Sequence, residues 1–328
     1  MFEASFYEVV GDKLRCYICP HNCIIAADKT GICRQRKNIG GKLYLLNYGK
    51  VTSLNLDPIE KKPLYHFYPG SKIISFGTNG CNLACMFCQN WTISQNDALT
   101  EDVSAQDVIK LARKHNSKLI AYTYNEPLMW YEFVRDCSTL ARQNGFLNVL
   151  VSNGFINPEP FKELLPYIDA LNIDIKSINP GFYHKLCKAR LEPVLETCRT
   201  AKKAALLEIT NLVIPGENDS EDDFRNISKW IADNLGRDTP LHFSAYFPTY
   251  KMNNPPTPVD TLLKAYEIAR SYLNYVYLGN VHTELGNDTF CVKCREKLIQ
   301  RSGYDIKILK LAQDGKCANC GTDNNIKR

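Results

Sequence analysis

The cysteines constrain this chain more than any other feature. Fourteen occur in 328 residues, and all but three fall into three groups. The groups are Cys16, Cys19, Cys23 and Cys33; Cys81, Cys85 and Cys88; and Cys291, Cys294, Cys317 and Cys320. The first residues lack the basic segment, the apolar segment and the cleavage site of a secretory signal, so we expect a cytoplasmic protein. In a reducing compartment, grouped thiols indicate metal binding or catalysis rather than a disulfide framework. We expect the three isolated residues, Cys137, Cys187 and Cys198, to be buried as small apolar side chains.

Composition excludes several classes of protein. No run of apolar residues is long enough for a membrane span, so we expect no membrane association. Forty Lys and Arg residues against thirty-five Asp and Glu residues give a net charge of +5. That excess is too small to indicate a nucleic-acid partner.

Between the second and third cysteine groups, strand-like and helix-like segments alternate. The strand candidates are Lys72–Gly77, Leu119–Tyr124, Leu147–Ser152, Ala170–Ile175, Leu206–Ile214, Leu241–Tyr246 and Tyr275–Leu278. They are apolar along their length, which is typical of strands buried on both faces. About six strand–helix units predict a parallel sheet, either doubly wound or forming a full or partial barrel. In each case catalytic residues gather at the C-terminal ends of the strands.

Three helices have recognisable start signals. Ser104 and Asp107 are spaced as a capping box, and so are Ser220 and Asp223. A third helix is predicted to begin with Pro258 as its first residue.

The central cysteine group follows the first of these strands. Its spacing, Cys-x₃-Cys-x₂-Cys, supplies three thiolates, one fewer than a closed iron–sulfur or zinc site requires. Such a site leaves one metal position for a substrate or cofactor. The alternative is a zinc site completed by a distant ligand such as His66.

This loop, with Phe87 directly before Cys88, resembles the signature of the radical S-adenosylmethionine (SAM) superfamily. The resemblance implies an α/β fold with a partial (β/α)₆ barrel. It also implies a [4Fe–4S] cluster on Cys81, Cys85 and Cys88, whose fourth iron binds SAM. Reductive cleavage of SAM would give a 5′-deoxyadenosyl radical that abstracts hydrogen from a substrate.

Other strand ends resemble SAM-contacting positions of the superfamily. The cofactor-binding residues that the resemblance implies are Phe87, Asn125, Glu126, Ser152, Asn153, Asp174, Lys176 and Ile214. Glu126 ends a segment in which Tyr124 and Asn125 stand where many members carry Gly-Gly-Glu. Lys176 would neutralise the SAM carboxylate through a charge-assisted contact.

Flanking segments narrow the family. The stretches 3–7, 19–23, 57–70 and 89–94 resemble the AmmeMemoRadiSam-system radical SAM proteins, which are related to pyruvate formate-lyase activating enzyme. The implied partners are a reductant such as ferredoxin or flavodoxin, a Memo-type protein and a small companion protein. We divide the chain into an N-terminal module (residues 1–69), the barrel (70–282) and a C-terminal module (283–328), with metal-binding cysteines in both modules.

Cysteine spacing defines the metal of the C-terminal module more closely than that of the N-terminal module. Two Cys-x₂-Cys pairs in the C-terminal module predict structural Zn²⁺, with a rubredoxin-type iron as the alternative. The irregular spacing of Cys16, Cys19, Cys23 and Cys33 suits either Zn²⁺ or an auxiliary iron–sulfur cluster. We expect His21 to lie outside the ligand set.

Three substrate classes are compatible with this chemistry. The chain could activate a glycyl-radical enzyme, act as a maturase on a side chain of a partner protein, or convert a small molecule beneath a lid formed by residues 247–256. A different class, a zinc-ribbon protein that binds nucleic acid, would show no SAM turnover.

Overall fold

The computed structural model describes residues 1–328. Its strands are β1 (Phe2–Glu3), β2 (Tyr7–Val10), β3 (Lys13–Cys16), β4 (Ile24–Ile25), β5 (Arg36–Ile39), β6 (Lys42–Leu45), β7 (Lys50–Val51), β8 (Ser53–Pro58), β9 (Lys72–Gly77), β10 (Glu101–Asp102), β11 (Leu119–Tyr122), β12 (Leu147–Ser152), β13 (Ala170–Asp174), β14 (Leu206–Val213), β15 (Leu241–Ala245), β16 (Val276–Gly279), β17 (Thr289–Phe290), β18 (Lys297–Ser302) and β19 (Asp305–Ile308). Its α-helices are α1 (Trp91–Ser94), α2 (Ala105–Lys114), α3 (Tyr131–Gln143), α4 (Pro158–Leu164), α5 (Pro180–Phe182), α6 (Glu192–Lys202), α7 (Glu221–Leu235) and α8 (Val259–Arg270). A π-helical turn, Tyr183–Cys187, continues α5. None of the helices combines the length and the apolar character that a membrane crossing requires.

The central sheet has eight strands in the order β16-β15-β14-β13-β12-β11-β9-β8. Seven are parallel, and β8 pairs with β9 in the antiparallel direction. Their order follows the chain, which excludes the doubly wound alternative, where the order reverses inside the sheet. Because β16 and β8 do not pair, the barrel is incomplete. The predicted α/β partial barrel is confirmed, with six strand–helix units followed by β16.

Burial on both faces explains why the sequences of these strands are apolar along their length. Phe76 and Leu150 belong to a large core cluster that includes the inner faces of the helices, whereas Ile73 and Val149 belong to a smaller cluster inside the barrel. Such two-sided burial is typical of parallel sheets covered by helices.

Two of the three predicted helix starts are confirmed. Ser104 and Ser220 each form a capping box with the residue three positions later. The prediction for Pro258 was wrong by one residue: Pro258 is extended, and α8 begins at Val259. The preceding Thr257 does not cap the helix, because its hydroxyl bonds the Val213 carbonyl and the Tyr246 amide.

The C-terminal module packs against β16 and against the chain before β9. Its last residues pair with the chain before β9, where the Lys327 amide donates to the His66 carbonyl at 2.8 Å. The His66 ring bonds the Tyr277 hydroxyl at 2.7 Å and the Asn325 carbonyl. His66 therefore works as a buried link between the barrel and this module, and the zinc alternative that used it as a ligand of the central cysteines is wrong.

A buried ion pair attaches the N-terminal module to the barrel. Arg36 and the Glu132 carboxylate on α3 are 2.7 Å apart, and both side chains are almost fully buried. Arg36 also donates to the Ser5 carbonyl, and the Ser5 amide donates to Glu132. Because each charge would be unpaired without the other, this contact holds the module in one position.

We expect Glu132→Gln to lower the free energy of unfolding by about 3–5 kcal/mol, because the charge of Arg36 stays buried without its counter-ion. Urea unfolding followed by circular dichroism measures the change. Glu3→Gln is the control, since it breaks an exposed pair with Lys42 and should alter stability little. Equal losses in the two variants would contradict the role given to Arg36 and Glu132.

Candidate functional site

The three central cysteines lie on the loop that leaves the C-terminal end of β9. Two backbone bonds hold this loop: the Ala84 amide donates to the Cys187 carbonyl at 3.0 Å, and the Met86 amide donates to the Leu186 carbonyl at 2.9 Å. Cys85 is buried. The loop is thus fixed to the π-helical turn after β13 rather than left free in solvent.

Two glycines allow the loop to pass close to neighbouring backbone. A Cβ atom on Gly77 would lie 2.5 Å from the Thr123 carbonyl oxygen. A Cβ atom on Gly80, whose φ is +98°, would lie 2.8 Å from the Cys33 carbonyl oxygen. The loop therefore contacts both the end of β11 and the N-terminal module at distances that only glycine permits.

Glu126 forms a buried acceptor beside this loop. Its carboxylate accepts hydrogen bonds from the Ser152 hydroxyl at 2.9 Å and from the Asn153 amide at 2.7 Å. It also accepts from the Leu128 amide. Burial raises the pKa of Glu126 to about 7, although the amides of Asn153 and Leu128 act in the opposite direction. No cationic side chain pairs with this carboxylate.

Asn153 connects Glu126 to the cysteines. Its side-chain Nδ2 donates to the side-chain Oδ1 of Asn82 at 2.9 Å and contacts the Cys81 sulfur at 3.7 Å. The end of β12 and the first cysteine therefore share one hydrogen-bonded group of residues.

The backbone before Glu126 has a glycine-like conformation. Tyr124 has φ of +73°, a region that residues with a side chain rarely occupy. Its hydroxyl bonds the Asp57 carboxylate at 2.5 Å, which anchors the ring outside the cysteine loop. The Asn125 side chain accepts from the Thr78 amide and donates to the Gly80 carbonyl, so it supports the loop.

A cation also lies near Cys85. The Lys176 ammonium pairs with the Asp174 carboxylate at 2.7 Å. Burial opposes the charge of Lys176, but Asp174 and Cys85 outweigh it and raise its pKa. The backbone here is held by Asn218, which donates to the Lys176 carbonyl and accepts from the Ile214 amide.

Residues 247–256 cover the cysteine loop. The Lys251 amide donates to the Met86 carbonyl at 3.0 Å. The Tyr250 ring stacks on Trp91, with 5.4 Å between the ring centroids. This contact is the arrangement expected of a lid over the strand ends.

The four cysteines of the C-terminal module converge on one point. Their sulfurs all lie within 4.8 Å of one another, with Cys291 3.6 Å from Cys320 and Cys294 3.6 Å from Cys317. The hydroxyl and amide of Thr322 lower the pKa of Cys320 to about 6. Four sulfurs around one tetrahedral ion would be about 3.8 Å apart, given metal–sulfur bonds of about 2.3 Å. This group can hold a single metal ion.

Two features of the site escaped sequence reasoning. Cys187 is buried as predicted, but its thiol hydrogen-bonds Cys85, and that bond together with burial raises the pKa of Cys85 well above its usual range. No local pattern signals this contact, because it joins separate strand ends. Cys137 and Cys198 are buried in helices, as predicted.

The second feature is a polar cavity of about 470 Å³ between the barrel interior and the C-terminal module. Thr210, His242 and Ser244 line it from the strands, and Glu60 and Arg301 line it from the outside. Glu60, Thr210 and Arg301 each present a buried polar atom without a hydrogen-bond partner. The alternation of polar residues along β14 and β15 was the signal available in the sequence.

The site brings together most of the residues singled out from the sequence. Cys81, Cys85 and Cys88 share one loop with the buried Phe87, whose ring packs against Phe182. Glu126, Ser152 and Asn153 contact one another, and Lys176 pairs with Asp174. Ile214 lies at the end of β14, buried and joined to this group through Asn218.

Comparison with known proteins agrees with this geometry. Residues 75–230 match the model of the radical SAM superfamily. The chain is 48% identical over 334 residues to the uncharacterized protein MJ0808 of Methanocaldococcus jannaschii, covering 99% of both proteins. It is 26% identical over 173 residues to pyruvate formate-lyase 1-activating enzyme of Escherichia coli K12, covering 50% of this chain and 70% of that enzyme.

Among solved structures, a radical SAM methyltransferase from Sphaerobacter thermophilus shares the fold. The TM-score is 0.52 at 16% identity, over 65% of this chain and 67% of that one. The chain therefore belongs to one family with MJ0808, and it carries a radical SAM domain homologous to that of the pyruvate formate-lyase activating enzymes.

Proposed function

We propose that this protein is an enzyme that binds a [4Fe–4S] cluster through Cys81, Cys85 and Cys88 and binds SAM at the open iron. The observation that carries the proposal is the set of three thiols at the strand ends, together with the buried Glu126 carboxylate and the partly buried Lys176 ammonium at neighbouring strand ends. When bound, the cluster and SAM supply reductive cleavage of SAM and a 5′-deoxyadenosyl radical that abstracts hydrogen from a substrate.

The donor set fits a cluster with one open position. Three thiols occur on the loop, and they form no four-ligand group of single-ion size with another cysteine or histidine. Lys176 places a positive charge near Cys85 and Cys88, which acts to lower the pKa of both thiols and favours their thiolate forms. The hydrogen bond between Cys187 and Cys85 acts in the opposite direction and raises the pKa of Cys85.

The residues around the loop complement the amino-acid end of SAM. Glu126 can accept hydrogen bonds from the amino group, while Lys176 can pair with the carboxylate. The positive φ of Tyr124 gives the chain the backbone conformation that a glycine provides at this position in many superfamily members. Ser152, Asn153 and Ile214 line the remaining strand ends, as the resemblance implies.

For the substrate class, the polar cavity favours a small polar molecule. Its volume is in the range of small-molecule sites, and three of its side chains offer unsatisfied polar atoms. The similarity to pyruvate formate-lyase 1-activating enzyme supports the second candidate, in which the substrate is a partner protein.

The metal of the C-terminal module is proposed to be Zn²⁺. Sulfur separations of 3.6 Å match a tetrahedral ion bound by four thiolates. Contacts of this module with the barrel, such as that between the Thr289 hydroxyl and the Tyr277 hydroxyl on β16, support a structural role.

The direct test is SAM cleavage by the full chain after anaerobic reconstitution with iron and sulfide. With dithionite as reductant, we expect release of 5′-deoxyadenosine and methionine, measured by chromatography. Cys85→Ala should reduce product to background, because the cluster loses a ligand. Cys198→Ala, which alters a buried cysteine in α6, should retain activity. Product formation by Cys85→Ala at the wild-type rate would contradict the proposal.

SAM binding should depend on the ionisation of Glu126. Because its pKa is about 7, the carboxylate is mostly ionised at pH 8 and mostly protonated at pH 6, where it no longer accepts hydrogen bonds fully. Glu126→Gln does not titrate. We expect the ratio of wild-type to Glu126→Gln affinity for SAM to fall about tenfold from pH 8 to pH 6. Equilibrium dialysis measures both, and a ratio independent of pH would show that Glu126 does not contact SAM.

A further inference from the structure

A second set of cysteines surrounds a cavity in the N-terminal module. Cys16, Cys19, Cys23 and Cys33 all line it, together with Arg36. The cavity is small, and the centre of a water-sized sphere can occupy about 10 Å³ of it. Four thiols thus face one space, although they are separated by up to sixteen residues in the sequence.

The distances between these sulfurs distinguish a single zinc ion from an iron–sulfur cluster. No three of them lie within 4.8 Å of one another, whereas the four sulfurs of the C-terminal module do. A single zinc ion requires all four to be about 3.8 Å apart. In a cubane cluster each thiolate binds a different iron, so the sulfurs stand further apart. The central cysteines, on a loop whose superfamily binds a cluster, share this wider arrangement.

A buried cation faces the cavity. Arg36 is fully buried, yet its Nε has no hydrogen-bond partner. Arg36 itself lines the cavity, so a negatively charged group bound there would lie close to an unpaired donor.

We propose that Cys16, Cys19, Cys23 and Cys33 bind a second [4Fe–4S] cluster, with all four irons ligated by the protein. His21 is not a ligand in this arrangement, because its Nε2 bonds the Asn82 carbonyl at 2.8 Å. With no open iron, this cluster cannot bind SAM in the way of the barrel site.

The second cluster would lie directly beside the first. Asn82 lines the N-terminal cavity and is the neighbour of Cys81. On the other side of Cys81, Gly80 approaches the Cys33 carbonyl so closely that a Cβ atom would be 2.8 Å from its oxygen. One layer of residues therefore separates the two sets of thiols.

The test compares three full-length chains reconstituted anaerobically with iron and sulfide: the wild type, Cys81→Ala/Cys85→Ala/Cys88→Ala and Cys16→Ala/Cys33→Ala. Iron, sulfide and zinc are counted per chain. We expect about eight irons in the wild type and about four in each variant, with about one zinc in all three. The triple variant should show the electron paramagnetic resonance (EPR) signal of a reduced [4Fe–4S] cluster after dithionite treatment.

Two results would overturn the proposal. One is about two zincs and four irons in the wild type, with one zinc lost in Cys16→Ala/Cys33→Ala, because the N-terminal site would then hold zinc. The other is a triple variant without iron. The triple variant leaves the N-terminal module intact. Its iron content therefore shows whether that module binds a cluster, even if Cys16→Ala/Cys33→Ala fails to fold.

The EPR spectrum also separates this proposal from the proposed function. Adjacent reduced clusters should broaden the wild-type signal relative to that of the triple variant, and an unbroadened sum of two signals would contradict their adjacency. If iron is lost in Cys16→Ala/Cys33→Ala but not in the triple variant, the N-terminal module binds a cluster and the barrel cysteines do not.

Discussion

The parallel register of the barrel strands is the constraint on which the site depends. Each of β9, β11, β12, β13 and β14 ends at the same edge, so residues far apart in sequence meet there. Glu126, Asn153 and Lys176 come from three different strands, yet they surround a single loop. The close approach of Gly77 to β11 fixes where that loop begins. If the strands shifted in register, the cysteines would separate from Glu126, Asn153 and Lys176.

The distances between sulfurs divide the grouped cysteines into two kinds. The C-terminal thiols are close enough to share one ion, whereas the central and N-terminal thiols are further apart. Spacing along the sequence does not predict this difference, because it reports the loop length and not the path of the loop. The path depends on tertiary contacts such as the bond between the Ala84 amide and the Cys187 carbonyl.

Much of the fold and part of the site could be predicted from the sequence. The seven parallel strands were found to within two residues at their ends because they are buried on both faces and therefore apolar. The antiparallel β8 was missed, since Ser53–Pro58 has an exposed, mixed pattern. The residues at the strand ends were found through motifs, but the left-handed Tyr124, the contact of Cys187 with Cys85 and the polar cavity depend on packing between distant segments.

Anomalous X-ray diffraction at the iron and zinc absorption edges tests the central claim most directly. Crystals of the anaerobically reconstituted chain, grown with SAM, would locate each metal relative to named residues. The account predicts an iron peak at Cys81, Cys85 and Cys88, with SAM density between Glu126 and Lys176, and a zinc peak at Cys291, Cys294, Cys317 and Cys320. Zinc at the central loop, or SAM bound away from these strand ends, would contradict it.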